Sequence, residues 1–420
     1  MQIISEFKSS EKIIFYIYII TPIVIFVSKF LSDLCLSIIA IYTLFKIFKI
    51  GIKKIEKVFF FFIFILYIVI NLFFNNFSII SLLKSISLIR FPLFILFPFI
   101  YDFNKSKIKF ERIFLIIYFI PILVFLMNMY TQSFLNTDIF GIEFKNDYQR
   151  ISSFFYDEYI AGTYLFFVFY IFLNYFNKID FLKLIFLSTL YFAVFLSGDR
   201  TPFIVINFFI FIIFFLNIKS IFKSKYTYYF IIILFSFFMF LTIFKVETPA
   251  LSKYLKTVEN VKKDFQNSEG DEFPLKRWGY YGLYVKSYIT FKKSPIIGHG
   301  YKSFRIECKD KIYDAEYNKI TNNLEDDGCD SHPHNIYLEV LSDLGLIGFL
   351  LFFLLLYNFY KLKEYIADKI KAEYFLVFLV AYFFPFKPFG SLYSNFNLIM
   401  LCSTVSFVIF YSKYKLTKKN

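Results

Sequence analysis

An all-α integral membrane protein is the fold class that this sequence predicts, and three observations carry the prediction. The chain is 58% hydrophobic over 420 residues, whereas soluble domains hold roughly 45–50% apolar residues. Its Phe, Ile, Leu and Tyr fall into runs that approach the roughly 20 residues a membrane helix needs, in about twelve places. Its lysines collect in alternate connections between those runs.

In order, the apolar runs are 13–27, 34–50, 58–74, 79–100, 113–129, 159–176, 181–196, 202–218, 228–244, 336–360, 374–386 and 395–411. The first leads directly into the second with no small-residue cleavage site, so no cleavable leader is expected. The connections after the even-numbered runs carry Lys46 to Lys57, Lys105 to Arg112, Lys178 to Lys183, Lys219 to Lys225 and Lys361 to Lys371, and a basic tail runs from Lys413. The short opposite connections hold only Lys29, Arg200 and Lys387. The positive-inside rule therefore predicts both termini in the cytoplasm. The net charge of +14 reads as topogenic lysine rather than as a nucleic-acid surface.

Two longer segments face outward in this arrangement, 130–158 and 246–335. The second mixes both charge signs and is too long for a plain connection, so it is expected to fold as an external cap. With no internal repeat and no low-complexity linker, the expectation is one membrane domain over 1–420 with an inserted region at 246–335. Cys35 and Cys402 lie in apolar runs, whereas Cys308 and Cys329 share the outer region. An oxidising compartment makes a disulfide the expected state of that pair. Closing a loop of about 20 residues stabilises by roughly 3 kcal/mol in the chain-entropy argument. The alternatives are two free thiols, or zinc shared with His332 or His334, for which no Cys-x-x-Cys spacing exists.

Chemistry-bearing residues gather where the outer region meets the tenth run. Ser331 to Gly348 reads SHPHNIYLEVLSDLGLIG. An imidazole takes up and releases a proton near neutrality, which makes His334 a candidate base; the alternative is an interfacial histidine at a helix start, capped by Asn335 or Ser331. Gly345 and Gly348, three apart, predict a helix face that another helix approaches closely. Arg200 stands in a very short turn between two apolar runs, where its planar fork suits phosphate oxygens or pairs with Asp199. Arg150, with Asp157, Glu158 and Gly162 following, predicts either a substrate clamp or a salt bridge. Arg90 falls deep inside the fourth run, where an ionisable group should face the bundle interior or a wet cavity, while Lys84 can snorkel. The turn from Pro295 to Gly300 has two glycines and could cradle phosphate through its backbone; His299 within it reads as structural.

These pieces, in this order, resemble the O-antigen ligase family of bacterial envelope enzymes. The resemblance runs from Arg150 with Glu158 and Gly162, through Ser197-Gly198-Asp199-Arg200 and Pro295 to Gly300, to His334-Asn335 with Gly345 and Gly348. Before Arg150 it rests on hydropathy and Arg90 alone. It implies a GT-C-like bundle in the bacterial inner membrane, with the outer region as a periplasmic cap between helices nine and ten. It implies a glycosyltransferase that moves a glycan from undecaprenyl diphosphate to a lipid A–core sugar hydroxyl on the periplasmic face. No cofactor and no required metal are implied. His334 would be the base, and Arg200 and Arg150 would hold the diphosphate, with Arg90, Glu158 and Asn335 completing the substrate site.

Fixed guanidiniums near the lipid boundary suit the negative charge that grows on a leaving diphosphate. A single attack inverts the anomeric centre, and no carboxylate is placed as a covalent nucleophile. Three functions stay open: the ligase; a polymerase that joins lipid-linked repeat units; and a polysaccharide transporter or lipid flippase, which about twelve helices would also suit but for which no inverted repeat shows.

Overall fold

The computed structural model describes residues 2–75, 78–102, 110–143, 150–156, 158–176, 180–216, 248–266, 279–321, 327–388 and 390–419. Regular structure among them is helical, apart from one isolated bridge between Thr137 and Glu143. The predicted run 228–244 and Asp157 lie outside the described residues.

The first half of the chain forms α1 (Gln2–Val24), α2 (Lys29–Ile50), α3 (Phe59–Phe74), α4 (Ile79–Ser87), α5 (Arg90–Ile100), α6 (Phe110–Leu135), α7 (Ala161–Tyr175), α8 (Phe181–Leu196) and α9 (Arg200–Leu216). Several boundaries have a local cause. Ser28 caps α2 by accepting from Leu31 N, and Asp180 caps α8 by accepting from Lys183 N. Gly51, at φ 115°, ends α2. Pro121 has no N–H to give to the preceding turn, and α6 widens into a π turn at Leu115–Phe119 just before it.

Then come α10 (Pro249–Gln266), α11 (Tyr281–Lys293), the short α12 (Phe304–Glu307), α13 (Asp314–Thr321), α14 (Ile336–Lys361), α15 (Lys369–Tyr382) and α16 (Asn395–Lys419). Among the described residues, six helical stretches are long and apolar enough to cross a membrane, and α7, α8 and α9 are shorter apolar helices. The protein is therefore a multi-pass membrane protein. α7 is buried on nearly every side, as a helix apolar all round must be. Ile41, Phe45, Leu66, Met127, Leu350 and Val380 instead turn outward at mid-helix, where lipid is their natural solvent.

Contacts at the helix ends fix the direction of each span. At one end Lys57 donates to Tyr365 Oη at 2.6 Å, Lys413 to Pro98 O at 3.0 Å, and Tyr411 to Tyr175 O at 3.0 Å. Lys418 pairs with Glu111 there, and Lys371 reaches Asn174 O. We call this the lysine end. At the other, Asp33 pairs with Arg90 at 2.8 Å, Ile151 N donates to Ser197 O at 2.9 Å, and Asn335 Nδ2 donates to Pro385 O at 2.7 Å. Among the described residues, Arg90, Arg150, Arg200, His334 and Asn335 lie toward this second end.

Two expectations need correction. The fourth run does form one membrane-length helical stretch, Ile79–Ile100, but it is not uniform: Leu88 and Ile89 interrupt it and divide it into α4 and α5. α4 shows Ile79, Ile80 and Leu83 to the outside, while α5 is buried along nearly its whole length. Arg90 therefore opens a helix instead of sitting in the middle of one, and its charge is met by Asp33 at the start of α2 and by Asn395 at the start of α16, 3.3 Å away.

The second correction concerns Gly345. It does not sit on a smooth helix face, because α14 is broken there, with φ 65° and ψ −167°. What approaches it closely is a loop. A Cβ on Gly345 would stand 2.4 Å from Ile296 O, and one on Gly298 would stand 2.4 Å from the Asp343 carbonyl. Gly348 does face a helix: its Cβ position is 3.2 Å from the Tyr67 ring of α3.

Candidate active site

The arginine group is built on the turn between α8 and α9. Gly198 takes φ +66°, Asp199 N donates to Ser197 Oγ at 3.2 Å, and Ser197 O accepts Ile151 N, which ties residue 150 to the turn. The start of α7 lies against the same turn: a Cβ on Gly162 would be 2.5 Å from Ser197 Oγ. α10 closes the group from above. Tyr254 stacks on Phe195 with centroids 5.1 Å apart, and Arg200 Nη1 donates to Thr257 Oγ1 at 3.3 Å.

Four charged groups meet there, Arg150, Asp199, Arg200 and Lys253. Burial pushes the Asp199 carboxyl up to about 6, against the pull of Arg150, Lys253 and Arg200. Burial lowers the Lys253 ammonium to about 8, and the two guanidiniums add to that, with Asp199 opposing. Arg150 and Arg200, fifty positions apart in sequence, thus work on one charge. Lys253 was not singled out in the sequence, because nothing in the pattern of residues 246–335 marks one lysine among many. The Glu158 side of the expected clamp goes elsewhere, since Glu158 pairs with Lys29. The Arg150 guanidinium lies 6.0 Å from the Tyr159 ring centroid.

The histidine group is a turn held at both sides. His334 has φ 53°, a value few non-glycine residues adopt, and its Nε2 lies 3.2 Å from Asp330 Oδ2. The His332 ring is 4.3 Å from the His334 ring and the Tyr280 ring 5.0 Å, centroid to centroid. His332 Nδ1 is 2.9 Å from Ser331 Oγ. Asn335 caps α14: its Oδ1 accepts from Tyr337 N and Leu338 N, and its Nδ2 donates to Pro385 O. The Asn335 carboxamide, expected as a substrate contact, is thus committed to the fold. Burial acts to raise the Asp330 carboxyl, but the Ser331 N–H and His334 outweigh it and hold the group below the ordinary carboxylate range. Cys308 and Cys329 are joined as a disulfide with Cα atoms 5.3 Å apart, one residue before Asp330.

The loop 295–300 cannot cradle phosphate as the glycines suggested, because its backbone is already used. His299 N and Gly300 N donate to Ser342 O and Asp343 O, and Leu346 N and Ile347 N donate back to Pro295 O and Ile296 O. These four bonds, at 2.7–3.3 Å, satisfy the polar groups that the break in α14 releases. His299 is structural, with Nε2 2.9 Å from Thr290 O and Nδ1 3.5 Å from Glu307. The Asp343 carboxylate accepts from Lys302 N, Ser303 Oγ and Phe304 N, and Glu339 accepts from Ser391 Oγ and Leu392 N. Both carboxylates are buried, and neither stood out in the sequence because each falls inside an apolar run.

The arginine and histidine groups belong to different turns, linked through the loop after α15. Phe384 of that loop touches Phe208 of α9 with centroids 5.0 Å apart, and its neighbour Pro385 holds Asn335. Arg90 belongs to a third group with Asp33 and Asn395, close enough to Tyr301 to act on its phenol. Among the described residues, no group of three or more His, Cys, Asp or Glu is placed to hold a metal ion.

Residues 184–353 match the family model for O-antigen ligase, which supports assigning the chain to that family and, in general terms, an O-antigen ligase or polymerase type of function. The matched stretch includes Arg200, Lys253, Asp330 and His334 but not Arg90, Arg150 or Glu158. A comparison with curated proteins returns no match.

Proposed function

We propose that this chain is a glycosyltransferase that moves a glycan from undecaprenyl diphosphate to a lipid A–core sugar hydroxyl. One observation carries the reading beyond the family match: Arg150, Arg200 and Lys253 converge on one turn at the end of the bundle that also presents His334. The positive-inside rule assigns the lysine end to the cytoplasm. Both termini are then cytoplasmic, the site faces the periplasm, and the membrane is the bacterial inner membrane.

In this reading, Arg150, Arg200 and Lys253 bind the diphosphate of the donor. The acceptor hydroxyl gives its proton to His334 as its oxygen attacks the anomeric carbon. The bond from that carbon to the diphosphate oxygen breaks, and its electron pair leaves with undecaprenyl diphosphate. Fixed cations stabilise that charge where water is scarce, so no divalent ion is required. Attack opposite the leaving group inverts the anomeric centre. A polymerase would use the same groups with a second lipid-linked glycan as acceptor.

The test is reconstitution of the purified protein in vesicles with lipid-linked glycan extracted from cells that lack it. Release of undecaprenyl diphosphate reports transfer to any acceptor. Product on added lipid A–core marks a ligase, and lengthened lipid-linked chains mark a polymerase. Translocation with no new glycosidic bond would overturn both. His334→Ala should lose on the order of 10²–10⁴-fold in rate with donor binding kept. His332→Ala should do less.

A further inference from the structure

We infer that Asp330 is the positioning residue for His334, and that the Cys308–Cys329 bridge holds Asp330 in place to do it. The inference rests on the reading of His334 as proton acceptor and goes beyond it.

The geometry assigns each carboxylate oxygen a task. Asp330 Oδ1 accepts Ser331 N at 2.5 Å, which fixes the rotation of the carboxylate, and Oδ2 faces His334 Nε2 at 3.2 Å. A carboxylate accepts and does not donate, so it selects the tautomer with the proton on Nε2. The lone pair is then on Nδ1, which is left to take the acceptor proton. The Asp330 carboxylate also stabilises the His334 imidazolium formed during transfer. The low position of the Asp330 carboxyl keeps it ionised near neutrality.

The disulfide closes a circuit of restraint around this pair. Asp343 of α14 holds the start of α12 through Lys302 N, Ser303 Oγ and Phe304 N. α12 ends at Cys308, which is bonded to Cys329. Asp330 follows, then the turn to His334, then Asn335, which caps α14. The chain around the base therefore begins and ends on the same helix. The bridge ties the residue before Asp330 to the segment that Asp343 holds.

The test uses the full-length protein in vesicles, with extracted lipid-linked glycan as donor and release of undecaprenyl diphosphate as readout. Asp330→Asn should lower kcat on the order of 10²-fold while the donor KM stays near wild type. Asp330→Glu should recover part of the rate. Cys308→Ser and Cys329→Ser should each reproduce the kcat loss with KM kept. Melting temperatures separate this from unfolding, since a merely structural role would lower stability without the split between kcat and KM or the recovery in Asp330→Glu. Wild-type kcat in Asp330→Asn would overturn the positioning role, and full rate in both cysteine variants would overturn the tether. His334→Ala, run in parallel, separates the two readings. If it is active, the base assignment fails; if it is inactive while Asp330→Asn is normal, only the present inference fails.

Discussion

The amide of Gly300 donates to the main-chain carbonyl of Asp343 at 2.7 Å, so a loop backbone completes the hydrogen bonding of a broken membrane helix. The glycine that permits the break, Gly345, has a conformation in a region that is essentially closed to residues with a Cβ.

Gly345→Ala should therefore destabilise the protein by at least the ~1–3 kcal/mol of that backbone strain. The clash with Ile296 O adds to it, since neither backbone can swing aside. Gly279→Ala is the control, with nothing within 4 Å of the added methyl. Thermal unfolding in detergent should show a lower midpoint for Gly345→Ala and no change for Gly279→Ala.

Arg200→Ala should raise the donor KM and lower turnover together, because the guanidinium binds the group whose charge grows during transfer. Arg200→Lys should restore little, since an ammonium lacks the two-pronged fork. Lys253→Ala should raise the donor KM by a smaller factor, as two guanidiniums remain. Steady-state kinetics on the reconstituted protein measures all three. An unchanged donor KM in Arg200→Ala would remove the diphosphate assignment.

Donor binding should weaken as pH rises. Asp199 ionises above about 6 and adds negative charge to the group. Lys253 loses its proton above about 8 and takes positive charge away. Both steps have the same sign for an anionic ligand. The donor KM should rise in two stages, and Asp199→Asn should abolish the lower one. Asp199 also makes a stability contribution of defined sign. Its folded-state pKa is raised, so the folded chain holds the proton more tightly. That contribution is present at acid pH and is lost as pH rises through about 6.

Arg90 offers a test of binding against support. Its pair with Asp33 has side chains only 17% and 25% exposed, between the surface and buried limits, so losing one partner should cost about 1–3 kcal/mol. If Arg90 serves the fold, Asp33→Ala and Arg90→Ala should lower the melting temperature alike, and the double variant should be no worse than either. If Arg90 grips substrate, Arg90→Ala alone should raise the donor KM.

Much of this arrangement was legible in the residues. Apolar run length marked the membrane-length helices among the described residues, and the basic connections marked the end where Lys57, Lys371, Lys413 and Lys418 gather. What escaped has physical causes. Gly345 reads equally well as a small residue on a helix face or as a backbone break, because one glycine serves both. Glu339 and Asp343 were hidden because their partners are mostly main-chain N–H groups, which have no signature in sequence. Lys253 reaches the arginine turn only because Tyr254 stacks on Phe195, a contact between segments more than fifty residues apart. Asp330 stood four residues from His334, close enough to have been found, but the turn that brings them together depends on a left-handed backbone at a histidine.

The interlocked loop and broken helix also constrain how the protein is made. The ribosome finishes residues 295–300 well before residues 342–347, about 45 positions later, which is roughly 2–9 s at ordinary elongation rates. During that interval the His299 and Gly300 N–H groups lack the carbonyls they pair with in the folded protein. Once the later segment enters the bilayer, it brings an unwound stretch that lipid cannot satisfy. The insertion machinery must therefore deliver this span next to a waiting loop, so its integration into the membrane and the folding of the preceding region form one event.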